Sequence, residues 1–159
     1  MSQSELAVFH SGSKIAYLID NGRANWTLAY LPAAGNSNQR LSLRFPVREL
    51  PYEGGDVVEF FRNCLPDLQL HRTIADQLGF SAGNDFALIS ELCAETFGAL
   101  SLRRPDSDYF EHGQLREINS EELRNIIAAL RLNPLLTKIE GYRTCLPGGY
   151  GKLPIQAIE

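Results

Sequence analysis

The features that this sequence lacks exclude several classes of protein. Its 159 residues contain only three cysteines, an odd number at wide spacing without a Cys-x-x-Cys pair: Cys64, Cys93 and Cys145. This pattern favours free thiols in a reducing compartment, and hence a cytoplasmic protein, over a disulfide framework. No apolar run approaches the length needed to span a membrane. The N-terminus, "MSQSELAVFHSG", lacks the basic start and apolar stretch of a signal peptide. We therefore expect no association with a membrane.

Clustered positive charge and metal ligands are scarce as well. The formal net charge is -4, and the best basic cluster is the pair Arg103-Arg104. Because phosphate backbones are bound by clustered lysine and arginine, we expect no direct binding of nucleic acid. No histidine lies three or four residues from a cysteine or another histidine, so we expect no metal site. The three histidines are His10, His71 and His112.

The first third of the chain has the patterns of β-strands. Apolar residues make up 44% of the sequence and charged residues 21%, which is typical of a globular domain with a core. The segments "KIAYLI" and "NWTLAY" flank Asn21-Gly22, a strong hairpin signal because both residues tolerate positive φ. The segment "LSLRF" alternates apolar and polar residues and is closed by Pro46, which predicts a further strand.

The middle of the chain is predicted to be helical. Asp56 and Glu59 have the spacing of a capping box, and Pro66 ends the helix that follows them. One face of this helix carries Val57, Phe60, Phe61 and Cys64. Asp67 starts a second helix that stops at Gly79, with Leu70, Ile74 and Leu78 facing inward. A third helix covers "DFALISELC", and "GALSLR" returns to a strand. Four acidic residues are predicted mostly at caps or in solvent: Asp67, Asp76, Asp85 and Glu91.

A last helix and a glycine-rich hairpin are predicted near the C-terminus. Asn119 and Glu122 form a capping box for the helix, whose apolar face carries Leu123, Ile126, Ile127 and Leu130. The order of elements predicts an α+β fold with a small antiparallel or mixed β-sheet, or a partial barrel, and several helices. We expect an α+β domain over residues 1–104, a connector over 105–118, and the helix plus hairpin over 119–159.

The predicted hairpin, "RTCLPGGYGKLPI" at residues 143–155, does not match two well-known phosphate-binding motifs. A Walker A loop fails because Leu153 replaces the hydroxyl residue, and a dinucleotide fingerprint fails because Pro154 replaces its last glycine. A kinase-type glycine-rich loop and an ordinary tight hairpin both remain open. The candidate nucleotide-loop residues are Gly148, Gly149, Tyr150, Gly151 and Lys152.

Residues 41–102 resemble the N-terminal region of HipA-type toxin kinases. The resemblance lies in "LSL", in "YEGGDVVEFFRNCLPD", in "FALISE" and in "FGALSL". The segment "RTCLPGGYGKLPI" is similar to the glycine-rich loop of that family. The family's loop carries a serine that is autophosphorylated, and this chain has Cys145 at the matching position. In those kinases the catalytic aspartate and the magnesium ligands lie beyond the equivalent of residue 159. The resemblance therefore implies no catalytic residue and no cofactor for residues 1–159, with ATP and magnesium present only if a kinase core completes the site.

The resemblance implies a non-catalytic module that binds other proteins. The expected partners are a HipA- or HipT-like kinase core, a HipB-like helix-turn-helix antitoxin, or both, in a HipS-like antitoxin role. Candidate docking residues are Phe60, Phe61 and Leu65, together with the final hairpin. One alternative is the N-terminal part of a HipA-type serine/threonine kinase whose substrate, by family analogy, is an aminoacyl-tRNA synthetase. Another is an α+β interaction domain without a toxin–antitoxin role.

Overall fold

A computed structural model of the chain describes residues 4–37, 39–65, 68–93, 100–105 and 117–132. The strands in this part of the chain are β1 (Ser4–His10), β2 (Ser13–Asp20), β3 (Trp26–Tyr30), β4 (Tyr52–Glu53) and β5 (Leu100–Arg103). The helices are α1 (Pro32–Ser37), α2 (Gly55–Arg62), α3 (Leu68–Leu78), α4 (Asp85–Leu92) and α5 (Ser120–Leu132). The glycine-rich hairpin, Pro66, Asp67 and most of the connector lie outside the described residues.

The strands form one sheet in the order β4-β3-β2-β1-β5. Every neighbouring pair of these described strands is antiparallel. The prediction of an α+β fold is therefore confirmed. Of the alternatives predicted for the sheet, the antiparallel one is found. Strand β1, an interior strand of the sheet, was not predicted as a separate element, although it pairs with both β2 and β5.

Two tight connections set the register of the first three strands. Ser11 and Gly12 join β1 to β2 with φ values of 49° and 80°, the left-handed pair that matches the twist of an antiparallel hairpin. The predicted hairpin at Asn21-Gly22 is confirmed, since β2 and β3 pair on either side of it. Its loop covers residues 21–25 and is therefore longer than a two-residue turn. Gly22, Arg23 and Ala24 in this loop have positive φ.

The core lies on one face of the sheet. Leu18 pairs with Leu6 on one side and with Leu28 on the other, and all three side chains are buried. Since neighbouring partners in a sheet point the same way, this row forms an apolar surface for the helices. Helix α4 packs on it through Phe86, whose ring meets that of Trp26 edge-on with centroids 5.4 Å apart.

The segment "LSLRF" is not the strand predicted above. Ser42 and Phe45 form an isolated bridge in which the Phe45 N–H donates to the Ser42 carbonyl at 3.2 Å, so the chain reverses here. Leu41 and Phe45 are buried, whereas Leu43 between them is 81% exposed. A strand would place all three side chains on one face, and the turn separates them instead. Alternation alone could not distinguish these two outcomes.

The helix ends follow the local signals in part. Helix α3 stops before Gly79, whose φ of 70° and whose neighbouring backbone hydrogen bonds form a Schellman motif, as predicted. The Asn119 carboxamide accepts hydrogen bonds from the backbone N–H groups of Glu121 and Glu122, which confirms the cap of α5. The predicted capping by Asp56 is wrong, because Gly54 is the N-cap residue of α2 and provides no side-chain bond.

A phenol group ties the residue 41–52 loop to the sheet. The Tyr30 hydroxyl donates to the Phe45 carbonyl at 2.7 Å and accepts from the Leu41 N–H at 2.8 Å. Burial raises the pKa of Tyr30 above its ordinary value of 10.0, the Leu41 hydrogen bond lowers it, and the nearby Tyr52 raises it. Because the pKa is raised, folding favours the protonated phenol.

We expect Tyr30→Phe to lower the free energy of unfolding by about 1–3 kcal/mol, because two backbone groups lose their partner. At pH values below the unfolded-state pKa of Tyr30, the wild type keeps its full stability advantage over Tyr30→Phe. As pH rises toward the folded-state pKa, the advantage declines because only the folded phenol keeps its proton. Urea denaturation of both proteins at pH 8 and pH 11 measures the difference. Tyr17→Phe is the control, since that hydroxyl meets only the exposed Lys14. A difference that is equal at both pH values would contradict the assignment.

Candidate functional site

The predicted nucleotide loop cannot be placed. Gly148, Gly149, Tyr150, Gly151, Lys152 and Cys145 all lie outside the described residues. Their roles therefore stay predictions, as does docking by the final hairpin. The candidate docking helix α2 and the elements around it lie within the described residues.

The three docking candidates pack against the chain's own core. Phe61 and Leu65 are buried at 1% and 8% exposure, and Phe60 is partly buried against the same cluster. The ring of Phe60 meets those of Phe45 and Phe61 edge-on, with centroids 5.3 and 5.2 Å apart. In this conformation these residues hold α2 on the sheet and offer a partner little surface. Docking through them stays a prediction.

A charged cluster joins α2, α3 and α4. Asp85, the first residue of α4, is buried, and one of its carboxylate oxygens is bound by the Arg62 guanidinium. Its other oxygen lies 3.4 Å from Nε2 of His71 on α3. Asp85 is therefore neither the cap nor a solvent-facing residue, because Asn84 provides the cap by accepting from the Ala87 N–H. The contacts of Asp85 span 14 and 23 residues, so no local pattern could have shown them.

This cluster is arranged for packing more than for chemistry. One oxygen of Asp85 is bound by the Arg62 guanidinium, and the other lies 3.4 Å from His71 Nε2, a buried nitrogen without a hydrogen bond, so the carboxylate faces residues of this chain. Within the described ranges, no group of three or more histidine, cysteine, aspartate or glutamate residues could hold a metal ion. Cys64 and Cys93 are buried and form no disulfide, and the thiol of Cys93 lies 3.9 Å from the Cys64 carbonyl.

The surface beside α2 is more accessible than α2 itself. We use the name leucine loop for residues 41–52, which carry Leu43 and Leu50 at 81% and 74% exposure. Arg44 pairs with Asp56 of α2 at 2.8 Å, which anchors one end of the loop. Sequence reasoning missed this surface because it assigned the first five of these residues to a strand. The prolines at 46 and 51 were the available signal, since proline is confined to strand edges and loops.

A second arginine fixes the other end of the leucine loop. Arg48 donates to the carbonyls of Leu50 and Pro51 at 2.8 and 2.9 Å. Its guanidinium also lies 3.5 Å from the ring centroid of Tyr52, whose hydroxyl donates to the Pro46 carbonyl at 2.7 Å. The two exposed leucines are thus presented by a loop whose backbone is held in place.

In the described part of the chain, no helix is long and apolar enough to cross a membrane.

Comparisons with known proteins identify relatives of this chain. The family model described as "HipA N-terminal domain" matches residues 6–103, from β1 to the end of β5. A curated relative, "Putative kinase Y4mE" of Sinorhizobium fredii (strain NBRC 101917 / NGR234), is 33% identical over 124 residues. The aligned region covers 75% of this chain and 30% of the relative, so the chain matches about a third of that protein's length. The resemblance predicted from the sequence is confirmed.

Two aspartates provide a matched test of the charged cluster. Each lies in the first turn of a helix and pairs with an arginine, but the side chain of Asp85 is 10% exposed and that of Asp56 is 70% exposed. We expect Asp85→Asn to lower the free energy of unfolding by about 1–3 kcal/mol, because the Arg62 guanidinium loses a buried carboxylate. Asp56→Asn should cost less than about 1 kcal/mol. Urea denaturation at pH 7 measures both variants, and equal losses would show that the cluster does not join the helices.

Proposed function

Since the chain belongs to the HipA N-terminal domain family, we propose that it is a non-catalytic module of a bacterial toxin–antitoxin system. In this role it binds a HipA- or HipT-like kinase core, a HipB-like helix-turn-helix antitoxin, or both, and acts as a HipS-like antitoxin. The observation that carries the proposal is the family match over residues 6–103. ATP and magnesium belong to the kinase core and not to this module.

The described structure supports a binding role over a catalytic one. The buried acidic side chain of Asp85 has one oxygen bound by Arg62, and its other oxygen faces His71 at 3.4 Å. A general base or a magnesium ligand needs an oxygen that is free to meet the substrate or the metal. The leucine loop, by contrast, places two large apolar side chains in solvent on a backbone fixed by hydrogen bonds.

A second candidate function rests on the relative. The 33% identity extends over 124 residues of a protein whose printed name is "Putative kinase Y4mE". Under this candidate the chain is the N-terminal part of a HipA-type serine/threonine kinase whose substrate is an aminoacyl-tRNA synthetase. The module then docks on a kinase core within one polypeptide instead of between two.

Co-expression with the neighbouring genes tests the proposal. The tagged chain is purified, and the proteins that accompany it are identified by mass spectrometry. We expect a HipA-type kinase polypeptide or a helix-turn-helix repressor in a stoichiometric complex, and reduced toxicity of the kinase when the chain is present. Sequencing the DNA beyond codon 159 separates the two candidates, because an in-frame continuation with kinase motifs favours the second one.

Failure to recover either partner from its own operon, with no in-frame kinase continuation beyond codon 159, would contradict both candidates and favour an unrelated interaction domain. Phosphate transfer by the 159-residue chain alone, supplied with ATP and magnesium, would contradict the non-catalytic role. An unrelated tagged protein from the same host is the control for non-specific capture.

A further inference from the structure

We propose that the leucine loop is the surface through which this module docks on the kinase core of a HipA-type protein. This inference rests on the proposed function and adds the residues that make the contact. The contact centres on Leu43 and Leu50, and it excludes the buried face of α2 that the sequence suggested. The partner surface is an apolar depression edged by lysine or arginine side chains.

The two leucines lie on one short loop that folds back on itself. Leu43 lies two residues before Phe45, and Leu50 lies two residues before Tyr52. The rings of Phe45 and Tyr52 meet edge-on with centroids 5.0 Å apart, so the loop folds back on itself at this contact. Single exposed leucines need no explanation, but two on one short folded loop form an apolar patch.

The loop is ordered before any partner arrives. Tyr30 fixes Leu41 and Phe45 from the sheet side, and Tyr52 fixes Pro46 from the loop itself. Arg48 fixes the last turn through two backbone carbonyls. A preordered loop loses little conformational entropy on binding, which is the condition under which a small patch can contribute to affinity. The chain thus uses polar contacts to hold apolar side chains in water.

The charges around the loop differ between its two ends. Glu49 and Glu53 are exposed on either side of Leu50, whereas Arg40 is exposed just before the start of the loop. Asp56 and Glu59 pair with Arg44, and Arg48 keeps its positive charge because it donates to neutral carbonyls. A partner with basic side chains opposite Glu49 and Glu53 complements the Leu50 end of the loop.

The length of the relative points to a kinase core as the occupant. The aligned region is 30% of "Putative kinase Y4mE", so more than two thirds of that protein lies outside the match. An N-terminal module in such a protein has the remainder as its neighbour, and interfaces between domains combine apolar and polar residues, as this loop does. The same patch serves whether the kinase core is a separate protein or follows in the same polypeptide.

A double variant tests the patch against a matched control. Leu43→Ser combined with Leu50→Ser removes both apolar side chains, and Ile127→Ser removes another exposed apolar residue, at 47% exposure, from α5. Because all three positions are exposed, both proteins should keep the melting temperature of the wild type. We expect the double variant to bind the co-purified kinase polypeptide at least about ten-fold more weakly by calorimetry. The Ile127→Ser control should bind within about three-fold of the wild type.

A photo-crosslinker identifies what covers the patch. Benzophenone-alanine at position 50 should crosslink to the kinase polypeptide, whereas the same group at position 23 on the β2–β3 loop should not. Peptide mass spectrometry maps the crosslink, including one within a single continuous polypeptide. Unchanged affinity of the double variant, or crosslinks from position 50 to a repressor or to a second copy of this chain, would overturn the inference and leave the module role standing. Failure of the wild type to retain any kinase would overturn both.

Discussion

One hydroxyl group connects the interior of this protein to its most accessible apolar surface. Tyr30 extends from β3 and bonds to the backbone on both sides of the turn at Ser42. That turn buries Phe45 in the core and leaves Leu43 in solvent. If Tyr30 did not satisfy these two backbone groups, the loop would either need water in a partly buried place or move away from the sheet. The shape of the proposed docking surface depends on this constraint.

The charged residues divide between interior and surface according to what they can bind. Asp85 is buried where three helices meet, with one oxygen bound by Arg62 and the other 3.4 Å from His71. Arg44 and Arg48 stay at the surface, where they hold the leucine loop to α2 and to Tyr52. Burial of a charge costs free energy unless it is paired, whereas an exposed pair contributes little. The buried pair therefore stabilises the contact between the helices, and the exposed arginines position the loop.

Local chemistry predicted much of the fold. Asn21-Gly22 predicted the β2–β3 hairpin, Gly79 the end of α3, and Asn119 the start of α5, because each signal acts within one turn of the chain. The resemblance to HipA-type kinases predicted the family, since it rests on motifs spread over sixty residues. These are the levels at which a single sequence is most informative.

Non-local contacts account for what sequence reasoning missed. Strand β1 lies inside the sheet and not at its edge because β5, some ninety residues later in the chain, pairs with it. The turn at Ser42 has the alternating pattern of a strand, and its ends are held by the distant hydroxyl of Tyr30 in addition to the bond within the turn. Phe60 and Phe61 were docking candidates on the apolar face of their helix, but the ring of Phe45 packs against Phe60 and the core buries Phe61. A surface defined by such contacts cannot be read from spacing.

Hydrogen–deuterium exchange on the chain, free and in complex with its kinase polypeptide, tests the central claim most directly. The account predicts that peptides spanning residues 41–52 exchange more slowly in the complex, while the β2–β3 loop at residues 21–25 is unchanged. Slower exchange at residues 21–25, with residues 41–52 as accessible as in the free chain, would contradict it.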